Sequence, residues 1–523
     1  MHRLNRHLGA FLVCSLFAAS SALADVKLPA VIGDNMVLQR DAKVVIWGTA
    51  DPGEKVSVSL RDQKAGATAD GEGRWKVQLG PVPAGGPMEM TVAGKNTLTL
   101  KNLLVGEVWV ASGQSNMQWT VRASANPEQE IQEAKYPSIR LFTVPRTPAT
   151  EPQSDCNAKW VECSPETIAE FSAVAFYFGR HLHKTLEVPI GLINTSFGGT
   201  AAEAWTSRPT LESVAEFKPI FERWDKMVAD FPKAKADYEK NSEKLLEDWK
   251  QAVQKAKAEG KTPPRQPQPP SNPATNPNHY STLYNGMIAP LMPYTVKGAI
   301  WYQGESNADR AYQYRKLFPA MIQDWRKAWG QEFPFLFVQL ANYNPRQPEP
   351  AESTGDSDWA ELREAQLMTL SLPKTAMAVI TDIGDAKDIH PKNKQDVGRR
   401  LALAALHMSY GKDIVCSGPV FEKLQVEGST VRLQFKHVGS GLVAQGGGAI
   451  KGFAVAGSDK KFYAAEARID GNSVVVRSDQ VEKPVGVRYA WANNPLGNLF
   501  NKDGLPASPF RTDDWAGVTV DKR

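Results

Sequence analysis

The stretch Glu107-Val108-Trp109-Val110-Ala111-Ser112-Gly113-Gln114-Ser115-Asn116-Met117 is an apolar run that reaches a glycine and then, two residues later, a serine. A buried strand that stops at a glycine and turns exposes a nucleophile at the C-terminal edge of a sheet. The plain alternative is a strand-to-helix turn with Ser115 as N-cap. A serine needs a base before it can attack a carbonyl. The chain holds eight histidines. His2 and His7 belong to an N-terminal segment that reads as removable. His181 and His183 stand beside Arg180 and Lys184 and read as solvated surface. His407 lies in an apolar helical stretch and reads as core, and His279 and His437 lack partners nearby in sequence. His390 differs. It ends the acid-rich loop Asp382-Ile383-Gly384-Asp385-Ala386-Lys387-Asp388-Ile389-His390, after the apolar run 376–380. A late, loop-borne histidine among carboxylates suits a general base oriented by an acid; a surface-loop histidine is the alternative. The tetrahedral oxyanion then requires preorganised donors. The candidates are the N–H of Ser115, an N–H in Gly198-Gly199, and a side-chain amide at Gln303 or Asn307.

These residues need a scaffold that gathers strand ends. Between about 104 and 414, apolar runs alternate with helical stretches: 107–111, 188–194, 298–302, 335–340 and 376–380. This grammar predicts a parallel α/β sheet, with polar residues clustered just past the strand ends. Residues 25–103 read instead as short alternating strands between turns such as Asp51-Pro52-Gly53, which predicts a small β-sandwich. Strands return in 415–523, with Gly446-Gly447-Gly448 as one turn, and predict a second sandwich. Residues 208–280 interrupt the α/β pattern. Phe217, Ile220, Phe221, Trp224 and Met227, then Tyr238, Leu245, Trp249 and Val253, fall at helical spacing and predict a surface-packed helical hairpin. The proline-rich run 263–277 predicts an extended loop. Trp119, Trp205 and Trp301 neighbour the motifs as sugar platforms or core, with Trp301 favouring core.

A chain of 523 residues exceeds one simple core. Residues 1–24 read as a secretory signal: Arg3 and Arg6, an apolar stretch from Leu8 to Phe17, and Ala22-Leu23-Ala24 before Asp25. The mature protein is therefore expected to be exported, periplasmic or secreted, with Cys14 discarded. Losing Arg3 and Arg6 takes the formal net charge from +4 to +2, too weak and dispersed for nucleic acid or a membrane surface. No later run is apolar enough to span a bilayer. Cys156 and Cys163 are spaced to pair across a short loop, with Cys416 as a buried thiol; all three reduced is the equal alternative.

Several motifs in order resemble the sialate O-acetylesterase family of SGNH (GDSL-like) hydrolases. They are Gly113-Gln114-Ser115-Asn116-Met117, Ser196-Phe197-Gly198-Gly199-Thr200 with Glu203-Ala204-Trp205, Tyr284-Asn285-Gly286-Met287-Ile288-Ala289-Pro290, Trp301-Tyr302-Gln303-Gly304-Glu305-Ser306-Asn307, and Asp388-Ile389-His390-Pro391. The resemblance implies an SGNH-type sheet flanked by helices and an O-acetyl ester hydrolase that needs no metal or organic cofactor. It implies Ser115 as nucleophile, His390 as base, and an oxyanion hole from the N–H groups of Ser115 and Gly199. The Gly-x-Asn-Asp motif of many relatives is absent, so Gln303 stands as the third donor and Asn307 as its fallback. The common Asp-x-x-His pattern also fails, because position 387 is Lys. Asp388 is then the expected orienting acid, Asp385 the second choice, and a backbone carbonyl the third. The substrate is expected to be an acetylated sugar, either a sialic acid or a plant polysaccharide such as xylan or xyloglucan. A carbohydrate-binding protein with a decayed esterase core is the competing class.

Overall fold

The structure is a computed structural model that describes residues 25–345 and 355–522. The expected signal segment and Cys14 lie outside these residues. The central sheet uses β1 (Thr97–Gly113), β2 (Tyr136–Thr143), β3 (Trp160–Cys163), β4 (Ile190–Ser196), β5 (Gly298–Tyr302), β6 (Phe335–Gln339) and β7 (Thr375–Val379). Their spatial order is β7-β6-β5-β1-β4-β2-β3, parallel except for the β2–β3 pair. Every residue of β4, β5 and β6 is buried, as expected for strands covered on both faces. Helices α1 (Ala173–Leu186), α3 (Ala311–Trp329), α4 (Asp358–Met368) and α5 (Lys394–Tyr410) flank the sheet. The chain leaves β1 in both directions across the sheet, so a crevice opens at its C-terminal end.

β1 is longer than its central segment. Its first half pairs with Gly85–Ala93 and Val37–Gln39, and its second half with β4 and β5. The boundary expected at 103–104 therefore falls inside one continuous strand. Apolar residues from Val26 to Leu406 share a single core. The C-terminal strands form two four-stranded sheets and one two-stranded sheet around a second core that includes Phe435, Phe453, Tyr489 and Phe510.

The insertion departs from the expected helical hairpin. It is one helix, α2 (Lys218–Ala258), against which the proline-rich segment runs back. Trp249 Nε1 donates to Pro264 O at 2.9 Å and Tyr238 Oη to Pro267 O at 3.4 Å. Prolines lack N–H donors, so the returning segment docks through its carbonyls rather than as a second helix. Only Ile220 and Trp224 of α2 are buried. Among the described residues Cys156, Cys163 and Cys416 are free thiols, with Cys163 buried and Cys416 half-buried rather than buried. His407 is exposed, not core, because it falls on the outer face of α5. Among the described residues no helix is long and apolar enough to cross a membrane.

Candidate active site

Gly113 is where the site begins. It pairs with Ser196 on one side and Tyr302 on the other, so three strand ends meet there. Its φ is +134°, and a Cβ would lie 2.1 Å from Tyr302 O, so only glycine lets the strands close this tightly. The chain then turns into a short helix, Ser115–Gln118, with Ser115 as its first residue. Gln114 locks the turn: its N–H donates to Tyr302 O, and its Oε1 accepts from Gly304 N and Ser306 N.

His390 reaches Ser115 across 275 residues of sequence. Its Nε2 lies 2.9 Å from Ser115 Oγ, and its Nδ1 lies 3.2 Å from Asp388 Oδ1. The same carboxylate oxygen accepts the His390 N–H at 2.9 Å, which fixes the loop as well as the ring. The imidazole stacks on Trp119, with ring centroids 4.6 Å apart and planes 14° apart. Asp385 instead accepts from Lys387 N within its own loop, and Asp382 is held bidentately by Arg400. Burial pushes the imidazole below its ordinary value, the nearby Lys394 charge adds to this, and Asp388 opposes both. At neutral pH the ring is therefore unprotonated and able to accept a proton.

The two backbone donors have different fates from the two amides. Gly198 lies against Ser115, but its N–H donates to Gln118 Oε1 at 2.7 Å. Gly199, at φ +72°, and Ser115 keep N–H groups with no partner among the described residues. Gln303 makes no contact with Ser115. It is fully buried; its Nε2 donates to Thr200 O and Asn307 Oδ1, and its Oε1 accepts from Tyr314 Oη. Asn307 is buried too, donating to Glu203 Oε2 and accepting from Ala202 N. Both amides brace the loop that follows Gly199 from behind. Strand alternation at the end of β5 turns Gln303 toward α3, which its motif does not reveal.

Beside Gly199 a cavity of about 430 Å³ opens, lined in part by Ser306, Arg310, Asn278, Arg223 and Met227. Arg223 and Met227 come from α2, so the insertion forms one wall. Arg223 and Arg310 both pair with the buried Glu203 at 3.3 Å. Trp205 and Trp301 are fully buried core residues, while Trp119 serves the histidine.

Three residues beneath the site were not singled out from sequence. Asn116 Nδ2 donates to Glu305 Oε1 at 2.6 Å and to Ile389 O at 3.0 Å, and its Oδ1 accepts from Lys394 Nζ at 2.5 Å. Asn116 and Glu305 stand inside recognised motifs, and Lys394 follows His390 by four residues. A lysine opening a helix whose next turns are apolar was the available signal, since lysine is seldom fully buried unless paired.

Comparisons with known proteins place the whole chain. The family described as "Carbohydrate esterase, sialic acid-specific acetylesterase" matches residues 105–257 and 272–407. A sialate O-acetylesterase from Pongo abelii is 31% identical over 96% of this chain and 95% of its own. One from Mus musculus is 34% identical over 78% of each chain. The crystal structure of a carbohydrate acetylesterase from Xanthomonas citri is 39% identical, covers 94% of this chain and 100% of its own, and superposes with a TM-score of 0.79. The chain belongs to the sialic acid-specific acetylesterase family of carbohydrate esterases.

Proposed function

We propose that this chain is an exported serine esterase that removes O-acetyl groups from sugars through an acetyl-serine intermediate. The contact that carries this reading is His390 Nε2 at 2.9 Å from Ser115 Oγ, with Asp388 on the opposite ring nitrogen. Ser115 Oγ attacks the acetyl carbonyl as His390 takes its proton. The oxyanion is stabilised by the Ser115 and Gly199 N–H groups. His390 then protonates the departing sugar oxygen, and the C–O bond to the sugar breaks. Water, deprotonated by His390, attacks the acetyl-serine and releases acetate. Asp388 holds the tautomer that presents a bare Nε2. The cavity beside Gly199 receives the sugar.

The test is acetate release by the mature protein and by Ser115→Ala. The substrates are an aryl acetate, acetylated sialosides and acetylated plant oligosaccharides. Activity that disappears in Ser115→Ala supports the mechanism, and preference among the glycans identifies the sugar. Equal activity in both proteins removes Ser115 from the reaction. Sugar binding with no turnover in either supports a binding protein. Export rests on residues 1–24. A periplasmic or secreted product beginning at Asp25 supports it; a cytosolic product retaining Met1 overturns it.

A further inference from the structure

One buried charge cluster has no part in the proton transfers above. Lys394 has no solvent exposure, and one Glu305 oxygen is buried without a partner. Lys394 is the first residue of α5, where the positive end of the helix dipole disfavours a cation. Its Nζ bonds Asn116 Oδ1 and lies over the rings of Trp119, at 5.8 Å, and Tyr302, at 5.4 Å. Trp119 is the ring on which His390 stacks. Asn116 adjoins Ser115 and donates to the carbonyl of Ile389, which adjoins His390. The nucleophile turn, the 303–307 loop and the base loop therefore converge on one asparagine side chain, and Lys394 holds its oxygen.

We propose that Lys394 is a positioning residue for the esterase reaction: through Asn116 it ties the Ser115 turn to the His390 loop. Its charge adds to burial in keeping the His390 imidazole unprotonated. The inference rests on Ser115 and His390 being nucleophile and base. The groups that face the pair are few. Asp388 lies against His390; Glu305 and Asp388 act on the Lys394 charge, and Tyr302 faces it with its ring. At the His390 ring burial acts most strongly and lowers its pKa, Asp388 comes next and raises it, and Lys394 follows and lowers it, so removing Lys394 leaves burial alone against Asp388. Burial brings the Lys394 ammonium down to about 7, with Glu305 and Asp388 opposing. Below that pH, where His390 would take up a proton, Lys394 is charged and resists it. An apolar residue there would leave Asn116 Oδ1 unpaired and Glu305 without a counter-charge.

The test uses Lys394→Met, which removes charge and donor, and Lys394→Gln, which keeps a donor without charge. Two readouts are taken on the whole protein. One is the His390 ring titration by NMR, assigned with His390→Gln. The other is the pH profile of kcat/KM on an aryl acetate. In both variants the His390 midpoint and the acid limb should rise together by about half a pH unit or more. In Lys394→Met, kcat should also fall roughly tenfold at its optimum, as expected when a catalytic contact loosens; Lys394→Gln should recover part of that loss. A midpoint that stays at the wild-type value in a folded variant overturns the proposal, as does a fall. Should Lys394→Met fail to fold, Lys394→Gln gives the same reading. If the wild type has no Ser115-dependent activity, the esterase reading fails, and the NMR midpoint still decides the role of Lys394.

Discussion

Arg363 and Lys394 are both buried cations with no solvent exposure, yet their surroundings differ. Arg363 sits at the joint between the α/β unit and the C-terminal sandwich. It donates to the carbonyls of Leu340, Ala341, Ala492 and Asn493, at 2.6 to 3.0 Å. Four carbonyl dipoles from both sides replace its water and join the two units; burial brings the guanidinium down to about 9, so it stays charged at neutral pH. Lys394 has one oxygen partner, two aromatic faces and a carboxylate held at one remove. Burial lowers both cations, and because a lysine starts from 10.5 rather than 12.5 its titration comes to about 7, within reach of neutral pH. A buried charge that is fully hydrogen-bonded holds structure together. One that is partly satisfied remains responsive, and this one lies beneath the reacting pair.

The contrast is testable by asking which substitutions remove activity and which remove stability. Ser115→Ala should lower kcat/KM at least about 10⁴-fold with an unchanged thermal midpoint, as steady-state kinetics and a melting curve will show. Arg363→Met should do the opposite. Four carbonyls lose their donor, stability falls by roughly 3 kcal/mol or more in denaturant unfolding, and activity per folded molecule is retained. Equal losses of both kinds in either variant would break the division between joint and floor. Asp388→Asn should reduce kcat/KM roughly tenfold to a hundredfold. That is less than for a buried triad acid, because Asp388 is half-exposed and its ring contact is 3.2 Å.

The pH effects are smaller. The acid limb of kcat/KM should lie below 6.5, the ordinary histidine value, because His390 is held below it and the reaction needs the neutral ring. Lys394 titrates at about 7 in the folded protein and 10.5 in the unfolded chain. Between these values the unfolded state binds more protons, so stability should rise with pH. The slope from this single group is at most about 1.4 kcal/mol per pH unit, and it should vanish in Lys394→Met. Comparing denaturant unfolding of the two proteins at pH 7 and pH 10 measures it.

Much of the site could be read from residue order. Ser115 follows a strand and a glycine, and His390 stands in an acid-rich loop, because chemistry of this kind constrains short stretches. Asp388 was legible for the same reason, two residues before His390, whereas Gly199, 84 residues after Ser115, came from the resemblance. The direction of Gln303 was not legible. Its motif places it at a strand end, but the packing of Tyr314 on α3 decides that its amide braces the Thr200 backbone. The insertion was misjudged for a related reason: helical spacing over 217–253 is compatible with one long helix or two short ones, and only the return of 263–277 along α2 decides between them.

Local patterning was sufficient for the α/β core, the strand-rich ends, and the candidates Ser115 and His390, since periodicity, turn residues and reactive side chains are properties of neighbours in sequence. Long-range packing alone decided that β1 passes through the expected boundary, that the insertion walls the cavity beside Gly199, and that Asn116, Glu305 and Lys394 meet beneath the site. Those contacts join residues up to 278 positions apart. Their energies depend on burial and on which donors remain unpaired, and neither exists until the strands have assembled.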